Sequence, residues 1–241
     1  QKGNLSNNSR IEFSKRASGQ PPSKLGIKQG HSISLREAML ALVTKSANDV
    51  ATAVAENIAG TEINFAKKMT KKAKSLGMNN TRFMNASGLY NKYQKSTALD
   101  MAKLGIAIKR DFPLRYKIFN TKSFNWNGRK YKNHNNLLKS YSGTDGIKTG
   151  YIGASGFNLM ASVERNGIRL IGVVFGGKSS KRRDLHLMGL FTNAFKRASP
   201  PKLILVSTPL SKPNFISIRA PSSKPKAFIN VDTCLLYTSP S

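Results

Sequence analysis

Apolar residues recur every three to four positions through the first half of the chain and every second position through much of the second half. Residues 10–15 (R-I-E-F-S-K) alternate and predict a short strand, after which Pro21, Pro22, Gly26 and Gly30 mark a turn-rich crossing. Ser34 followed by Glu37 forms a capping box, in which the serine oxygen and the glutamate satisfy free backbone donors at a helix start. The helix it opens carries Leu35, Met39, Leu42 and Val43, is apolar on most sides and should be buried, with a break near Ser46. A second helix from about Asp49 carries Val50, Ala53, Val54 and Ile58 and ends at Gly60. Thr61 opens a third, with the stripe Ile63, Ala66, Met69, Ala73 and Leu76 and with Gly77 past its end. Thr97, with Asp100 three residues on, caps a fourth that ends before Asp111-Phe112-Pro113.

The period then shortens to two. Asn127-Gly128 lies between Ser123–Trp126 and Arg129–Asn133, and Asn166-Gly167 between Gly156–Arg165 and Ile168–Gly177. Both read as two-residue hairpin turns, because Asn-Gly tolerates the positive φ that a type I′ turn needs at both central positions. In the later hairpin Phe157, Leu159, Ala161 and Val163 share a face, which predicts a half-buried antiparallel pair. A last helix, Ser180 to Arg197, carries Leu185, Met188, Leu190, Phe191 and Phe195. Seven of the ten prolines lie from Pro200 onward, so the domain should end near residue 198, with a Pro/Ser/Lys linker over 199–230. The abrupt change of character at Val231–Ser241 reads as a sequence artefact or a disordered tail, outside the fold.

Composition narrows the function. With 241 residues and 39% apolar content the chain can build a sizeable core. No apolar run reaches the length of a bilayer crossing. Forty basic against eleven acidic residues give +29, which by itself favours an anionic partner. The cations are spread from Lys2 to Lys226, and the densest block, Lys67, Lys68, Lys71, Lys72 and Lys74, is expected on the solvent side of a helix. That block is either a solvated face or an attraction to an anionic polymer of nucleic-acid or cell-envelope type. No zinc-finger spacing or aromatic RNA-binding motif supports nucleic acid. One cysteine, Cys234, excludes an internal disulfide and a Cys-based zinc site. His31, His134 and His186 are far apart and lack metal-ligand spacing, so no metal is expected. The chain begins at Gln1 without a signal peptide, and the expectation is that its natural start lies upstream.

Two motif matches are decoys. Gly172–Ser179 (G-V-V-F-G-G-K-S) fits the P-loop pattern, but Val173 to Phe175 continue a strand where phosphate binding needs a loop. Gly153-Ala154-Ser155-Gly156 has the wrong spacing and context for a nucleophile elbow. The informative pair is Ser46-Ala47-Asn48, at a break between helices, and Lys148-Thr149-Gly150, at the start of a strand. Together they can line a cleft. Lys148 would hold a substrate carboxylate, Thr149 would add a hydroxyl, and Gly150 would let a substrate backbone approach the strand. Asn48 would hydrogen-bond a substrate amide, and Ser46 would pass a proton. The alternative is that Ser46 and Asn48 cap a helix while Lys148 is an exposed strand lysine.

Four longer stretches carry a resemblance: Ser14–Gly26 (S-K-R-A-S-G-Q-P-P-S-K-L-G), Leu35–Gly60, Phe83–Leu89 (F-M-N-A-S-G-L) and Asp145–Tyr151 (D-G-I-K-T-G-Y). They resemble the penicillin-binding serine D-alanyl-D-alanine carboxypeptidases, over about residues 10–197. The resemblance implies a β-lactamase/transpeptidase-like fold of mixed α/β (α+β) type, an antiparallel sheet flanked by helices plus an all-helical lobe, incomplete at the N-terminus. It implies no cofactor. Ser46 and Asn48 match the family's S-x-N motif and Lys148, Thr149 and Gly150 its K-T-G motif, while Tyr151 falls where a backbone N–H helps form an oxyanion hole. By resemblance, peptidoglycan pentapeptide stems are the substrate, β-lactams are inhibitors, and the parent protein is exported to the periplasm or cell envelope, where it can associate with membrane or wall.

The departure from the family is the nucleophile. No S-x-x-K precedes Ser46; the pattern occurs only after the third motif, at Ser199–Lys202 with two prolines and at Ser223–Lys226 with one, where a helical turn must bring serine and lysine together. Residues 1–198 are thus expected to be part of a catalytic domain, inactive alone. Two alternatives compete. A class A serine β-lactamase needs a glutamate in an E-x-x-L-N context between the last two motifs, and only Glu56 and Glu62 fall there, without it. A non-catalytic basic protein binding envelope or nucleic acid is the other.

Overall fold

The computed structural model describes residues 6–198 and the backbone of 233–238. Strand β1 (Arg10–Glu12), the single turn α1 (Lys15–Ser18) and β2 (Ser32–Ser34) open the chain, with β1 and β2 paired antiparallel. Helices α2 (Leu35–Thr44), α3 (Asn48–Ala59) and α4 (Glu62–Ser75) follow. The predicted capping box is present: Ser34 accepts from the Glu37 N–H and Glu37 accepts from the Ser34 N–H. Gly60 (φ 74°) and Gly77 (φ 74°) stop α3 and α4 in the left-handed conformation that glycine adopts without penalty. Thr61 and Thr97 cap α4 and α5 (Ala98–Asp111) with their side chains. A short helix α6 (Pro113–Tyr116) and a 3-10 turn lead to the hairpin β3 (Ser123–Trp126) and β4 (Arg129–Lys132). After α7 (Leu137–Ser140) come β5 (Thr144–Ile152), β6 (Gly156–Arg165) and β7 (Ile168–Gly177), then α8 (Ser180–Arg197) and β8 (Thr233–Thr238).

The main sheet is antiparallel, in the order β5-β6-β7-β8. Both Asn-Gly turns adopt positive φ at both positions, 46° and 73° in one, 50° and 75° in the other. The predicted half-buried pair is instead covered on both faces. Leu159, Ala161, Val163, Leu170 and Val174 meet Leu187 and Phe191 of α8. Met160, Ile171 and Val173 point the opposite way, towards Ala98 and Ala102 of α5. Helix α5 comes so close that a Cβ at Gly105 would lie 3.0 Å from the Met160 sulfur. Alternation had identified one buried face, and a second helical layer buries the other.

Further differences concern the ends of stripes and of the chain. Ile63 is 64% exposed and Leu185 57% exposed, although both were assigned to apolar stripes. In α8 the buried face is Arg183, Leu187 and Phe191, a true i, i+4, i+8 row beginning with a charge. Residues 233–238, left out of the sequence reading as artefact or tail, pair with β7 from Val174↔Thr233 to Arg169↔Thr238. The linker 199–230 lies outside the described residues.

Two buried polar anchors fix the parts that matter for the site. Asp49, fully buried, accepts from the backbone N–H groups of Leu25 (3.1 Å) and Gly26 (2.9 Å) and from Val50 in its own helix (2.9 Å). It clamps the 20–27 loop to the start of α3. Arg169 on β7 reaches across β6 to Asp145 at the start of β5 (2.7 Å), and donates to Ser162 on the way (2.7 Å). Replacing Asp49 with Ala strands at least two buried backbone donors, each costing roughly 1–3 kcal/mol. Asp49→Ala should therefore lower unfolding stability in urea by about 2–4 kcal/mol, whereas an unchanged midpoint and slope would show that the clamp is dispensable.

Candidate active site

The turn between α2 and α3 is three residues long, and its middle residue, Ser46, sits at φ 56°. Serine rarely takes this conformation, which turns the side chain out of the helical path and towards the sheet. There it meets Lys148: the Lys148 ammonium Nζ donates to Ser46 Oγ across 102 positions of sequence, and also to the Thr149 carbonyl (2.7 Å). Neither serine nor asparagine caps α3, whose N-cap is Ala47 with no side-chain hydrogen bond. Lys148 is not a freely solvated strand lysine either. It lies in the middle of β5 and not at its start, as the sequence reading had it, and pairs with Met160 in register.

The other predicted residues are placed less uniformly. Asn48 is buried, and its side-chain amide donates to the Pro21 carbonyl (3.0 Å) while its backbone N–H donates to Ser23 (2.7 Å). Ser23 Oγ donates in turn to the Lys45 carbonyl (2.9 Å), so the 20–27 loop is laced to the S-x-N turn from both sides. The Asn48 Oδ1 has no hydrogen-bond partner among the described residues. At Gly150 a Cβ would touch only Asn158 Cβ, at an ordinary 3.9 Å. The fold therefore does not need glycine there; β5 stands first in the strand order of the main sheet among the described residues. Tyr151 is 62% exposed, with its ring 4.4 Å from Phe157.

Sequence reasoning missed the cation that completes the electrostatics. Arg183 is 3% exposed. It donates to Asp184 through Nε (2.9 Å) and Nη2 (2.7 Å) and to the Asn158 carbonyl through Nη1 (3.1 Å). Its clue was a charge standing at the head of an apolar helical row. Burial and then the Arg183 charge lower the Lys148 pKa to about 8. His134 lies in the same positive field, and burial, followed by Lys148, Lys45 and Arg183, depresses its pKa. The site is thus a concentration of positive charge with a hydroxyl at its centre, suited to an anionic group. Among the described residues no three His, Cys, Asp or Glu side chains gather as a metal would require.

A lysine whose pKa is depressed in the folded state disfavours folding while it is charged in both states. Stability should therefore rise as pH climbs from about 8, the folded value, towards the ordinary 10.5. Lys148→Met should remove that increment. The direct readout is competitive acetylation followed across pH, in which Lys148 should reach half-maximal reactivity near 8, well before the surface lysines. Reactivity that tracks the surface lysines would contradict the desolvated environment.

Comparison with known proteins bears on the family and the fold. The D-alanyl-D-alanine carboxypeptidase family model matches residues 1–179. The chain is 33% identical over 204 residues to D-alanyl-D-alanine carboxypeptidase DacF of Bacillus subtilis, covering 81% of this chain and 51% of that protein. It is 36% identical over 185 residues to DacA of Escherichia coli, covering 75% and 46% respectively. The chain thus spans about half the length of the curated relatives it matches. Among solved structures, the carboxypeptidase DacD of Francisella tularensis superposes with a TM-score of 0.78 at 31% identity, over 80% of this chain and 59% of that one. Penicillin-binding protein D2 of Listeria monocytogenes, solved in a cefotaxime-bound form, gives 0.70 at 29%, over 79% and 78%. A family model that matches most of the chain, and relatives more than 30% identical over three quarters or more of it, show that this chain belongs to the D-alanyl-D-alanine carboxypeptidase family.

Proposed function

We propose that this chain supplies the S-x-N and K-T-G walls of a serine D-alanyl-D-alanine carboxypeptidase that trims peptidoglycan pentapeptide stems outside the cytoplasmic membrane. The observation that carries the reading is the contact between Ser46 and Lys148, two motif residues 102 positions apart. In the reaction, the hydroxyl of an S-x-x-K serine attacks the carbonyl between the terminal D-alanines. A C–O bond forms, the C–N bond breaks, and D-alanine leaves with a proton on its amine; water then hydrolyses the ester. Ser46, hydrogen-bonded to Lys148, is placed to relay that proton. With a pKa about 8, Lys148 remains largely charged at neutral pH and attracts the substrate's terminal carboxylate. Thr149 adds its hydroxyl, Gly150 leaves room for a peptide backbone along the edge strand, and the Tyr151 N–H is the candidate oxyanion donor.

The glutamates speak against a β-lactamase of class A type. Glu62 is buried and accepts from Arg16 (2.7 Å) and the Ala86 N–H (3.1 Å), and Glu56 accepts from Ser14 (2.6 Å). Both carboxylates are committed to partners away from Ser46 and Lys148. Neither is placed to hold a deacylating water there.

The test is covalent labelling by a fluorescent penicillin. The 241-residue chain, having no S-x-x-K before Ser46, should carry no label stable to denaturation. The full-length product of its gene should label on the serine of an S-x-x-K. In that product Lys148→Ala should slow labelling by about 100-fold or more, the usual scale for a positioned proton-transfer or charge-holding group. A full-length product that folds and never labels would overturn the carboxypeptidase reading.

A further inference from the structure

Net charge is spread along the chain, but acidic residues are not. From Ile63 to Leu99 there is no aspartate or glutamate, while Lys67, Lys68, Lys71, Lys72, Lys74, Arg82, Lys92 and Lys95 all fall inside. Every one of these eight side chains is exposed. The flanking acids do not neutralise them: Glu62 is buried against Arg16, and Asp100 is buried and accepts from Thr81 Oγ1 (2.7 Å) and the Asn80 N–H (2.9 Å). None of the eight is in a salt bridge among the described residues; Lys72 is near enough to Asp111, itself bonded to Arg110, to help lower its pKa, and Lys72 lies outside the row.

The fold arranges this segment as two adjoining surfaces. On α4, Lys67, Lys71 and Lys74 follow i, i+4, i+7 spacing and form one row, rising about 10 Å along the axis. The buried residues Ala66 and Ala73 face the other way. The loop after α4 is stitched beside that row: Thr70 accepts from the Phe83 N–H (3.0 Å) and donates to its carbonyl (3.2 Å), and Lys74 donates to the Asn79 carbonyl. Arg82 and Lys95 are joined there by a backbone bridge. Two cations lie over the ring of Tyr93, with Lys92 at 4.9 Å and Arg82 at 5.8 Å from its centre. Tyr93 is 54% exposed.

We propose that this surface, the α4 row of Lys67, Lys71 and Lys74 with Arg82, Tyr93 and Lys92 beside it, binds a linear polyol-phosphate chain of the cell envelope. The row offers successive cations to successive phosphates, and the exposed ring offers an apolar face to the polyol or sugar units between them. Duplex nucleic acid keeps its bases stacked inside and gives that ring nothing to contact. The choice of an envelope polymer over single-stranded RNA rests on the carboxypeptidase reading, which places the protein beside the wall. The binding itself requires no catalysis.

The 241-residue chain is titrated with poly(glycerol phosphate), with poly(U) RNA and with phosphatidylglycerol vesicles between 50 and 300 mM salt, ranges set by the usual screening scale of about 10 Å at 0.1 M. Poly(glycerol phosphate) should bind tightest. Lys67→Gln/Lys71→Gln/Lys74→Gln should weaken it about tenfold or more and flatten the log–log salt slope by about 2, for three lost phosphate contacts. Tyr93→Ala should weaken binding without changing the slope. Circular dichroism and thermal midpoints, unchanged in both, show that the fold is intact. An equal loss in the control Lys117→Gln/Lys122→Gln/Lys130→Gln would overturn the proposal in favour of diffuse charge. Tighter binding of poly(U) or of the vesicles would overturn the partner. Failure of penicillin labelling in the full-length protein, with polymer binding intact, would remove the catalytic reading and leave the surface.

Discussion

A lysine ammonium held off solvent without a carboxylate beside it is the constraint around which this molecule is organised. Lys148 donates hydrogen bonds to a serine hydroxyl and a backbone carbonyl, and the charge of Arg183 adds to burial in lowering its pKa. Such an arrangement does not stabilise a fold; it is disfavoured by desolvation and by like charge together. A fold that accepts such a cost at one place, while pairing its other buried charges, marks that place as one where an anion is meant to complete the balance.

The supporting structure divides the task between two lobes. On the helical side, Asp49 gathers the N–H groups of the 20–27 loop, and Ser23 and Asn48 lace that loop to the turn carrying Ser46. On the sheet side, Arg169 ties the start of β5 to β6 and β7, just where the ladder slips by one residue between Thr144 and Gly146. Helices α5 and α8 then grip the sheet from opposite faces. Neither lobe alone would hold the two motifs in contact, since the turn and the strand share no local sequence.

Much of the architecture was legible because it is written in local rules. Capping residues at Ser34, Thr61 and Thr97, the stops at Gly60 and Gly77, and two Asn-Gly hairpins each declare their conformation within four residues. What was not legible depends on partners distant in sequence. The alternation in β6 shows that Leu159 and Ala161 share a face, yet only the approach of α5 at Gly105 decides that Met160 is buried too. In α8 the expected stripe holds at Met188, Leu190, Phe191 and Phe195, which pack on the sheet, and fails at Leu185, because the buried row runs through Leu187 to the charged Arg183. At the site, the motif residues were found by type and spacing. The cation that adds to burial in lowering the Lys148 pKa, Arg183, carries no motif and comes into view only when the chain is folded.

The left-handed backbone at Ser46 narrows which residues can stand there. Threonine would keep the hydroxyl, but its branched Cβ is poorly suited to φ 56°. Glycine and asparagine accept that backbone readily, but neither brings a hydroxyl to Lys148. Conformation and chemistry thus pull towards different substitutes, and serine is the compromise that satisfies both. The turn is consequently a poor route for gradual divergence: a single replacement that eases the backbone removes the hydroxyl, and one that keeps the hydroxyl strains the backbone.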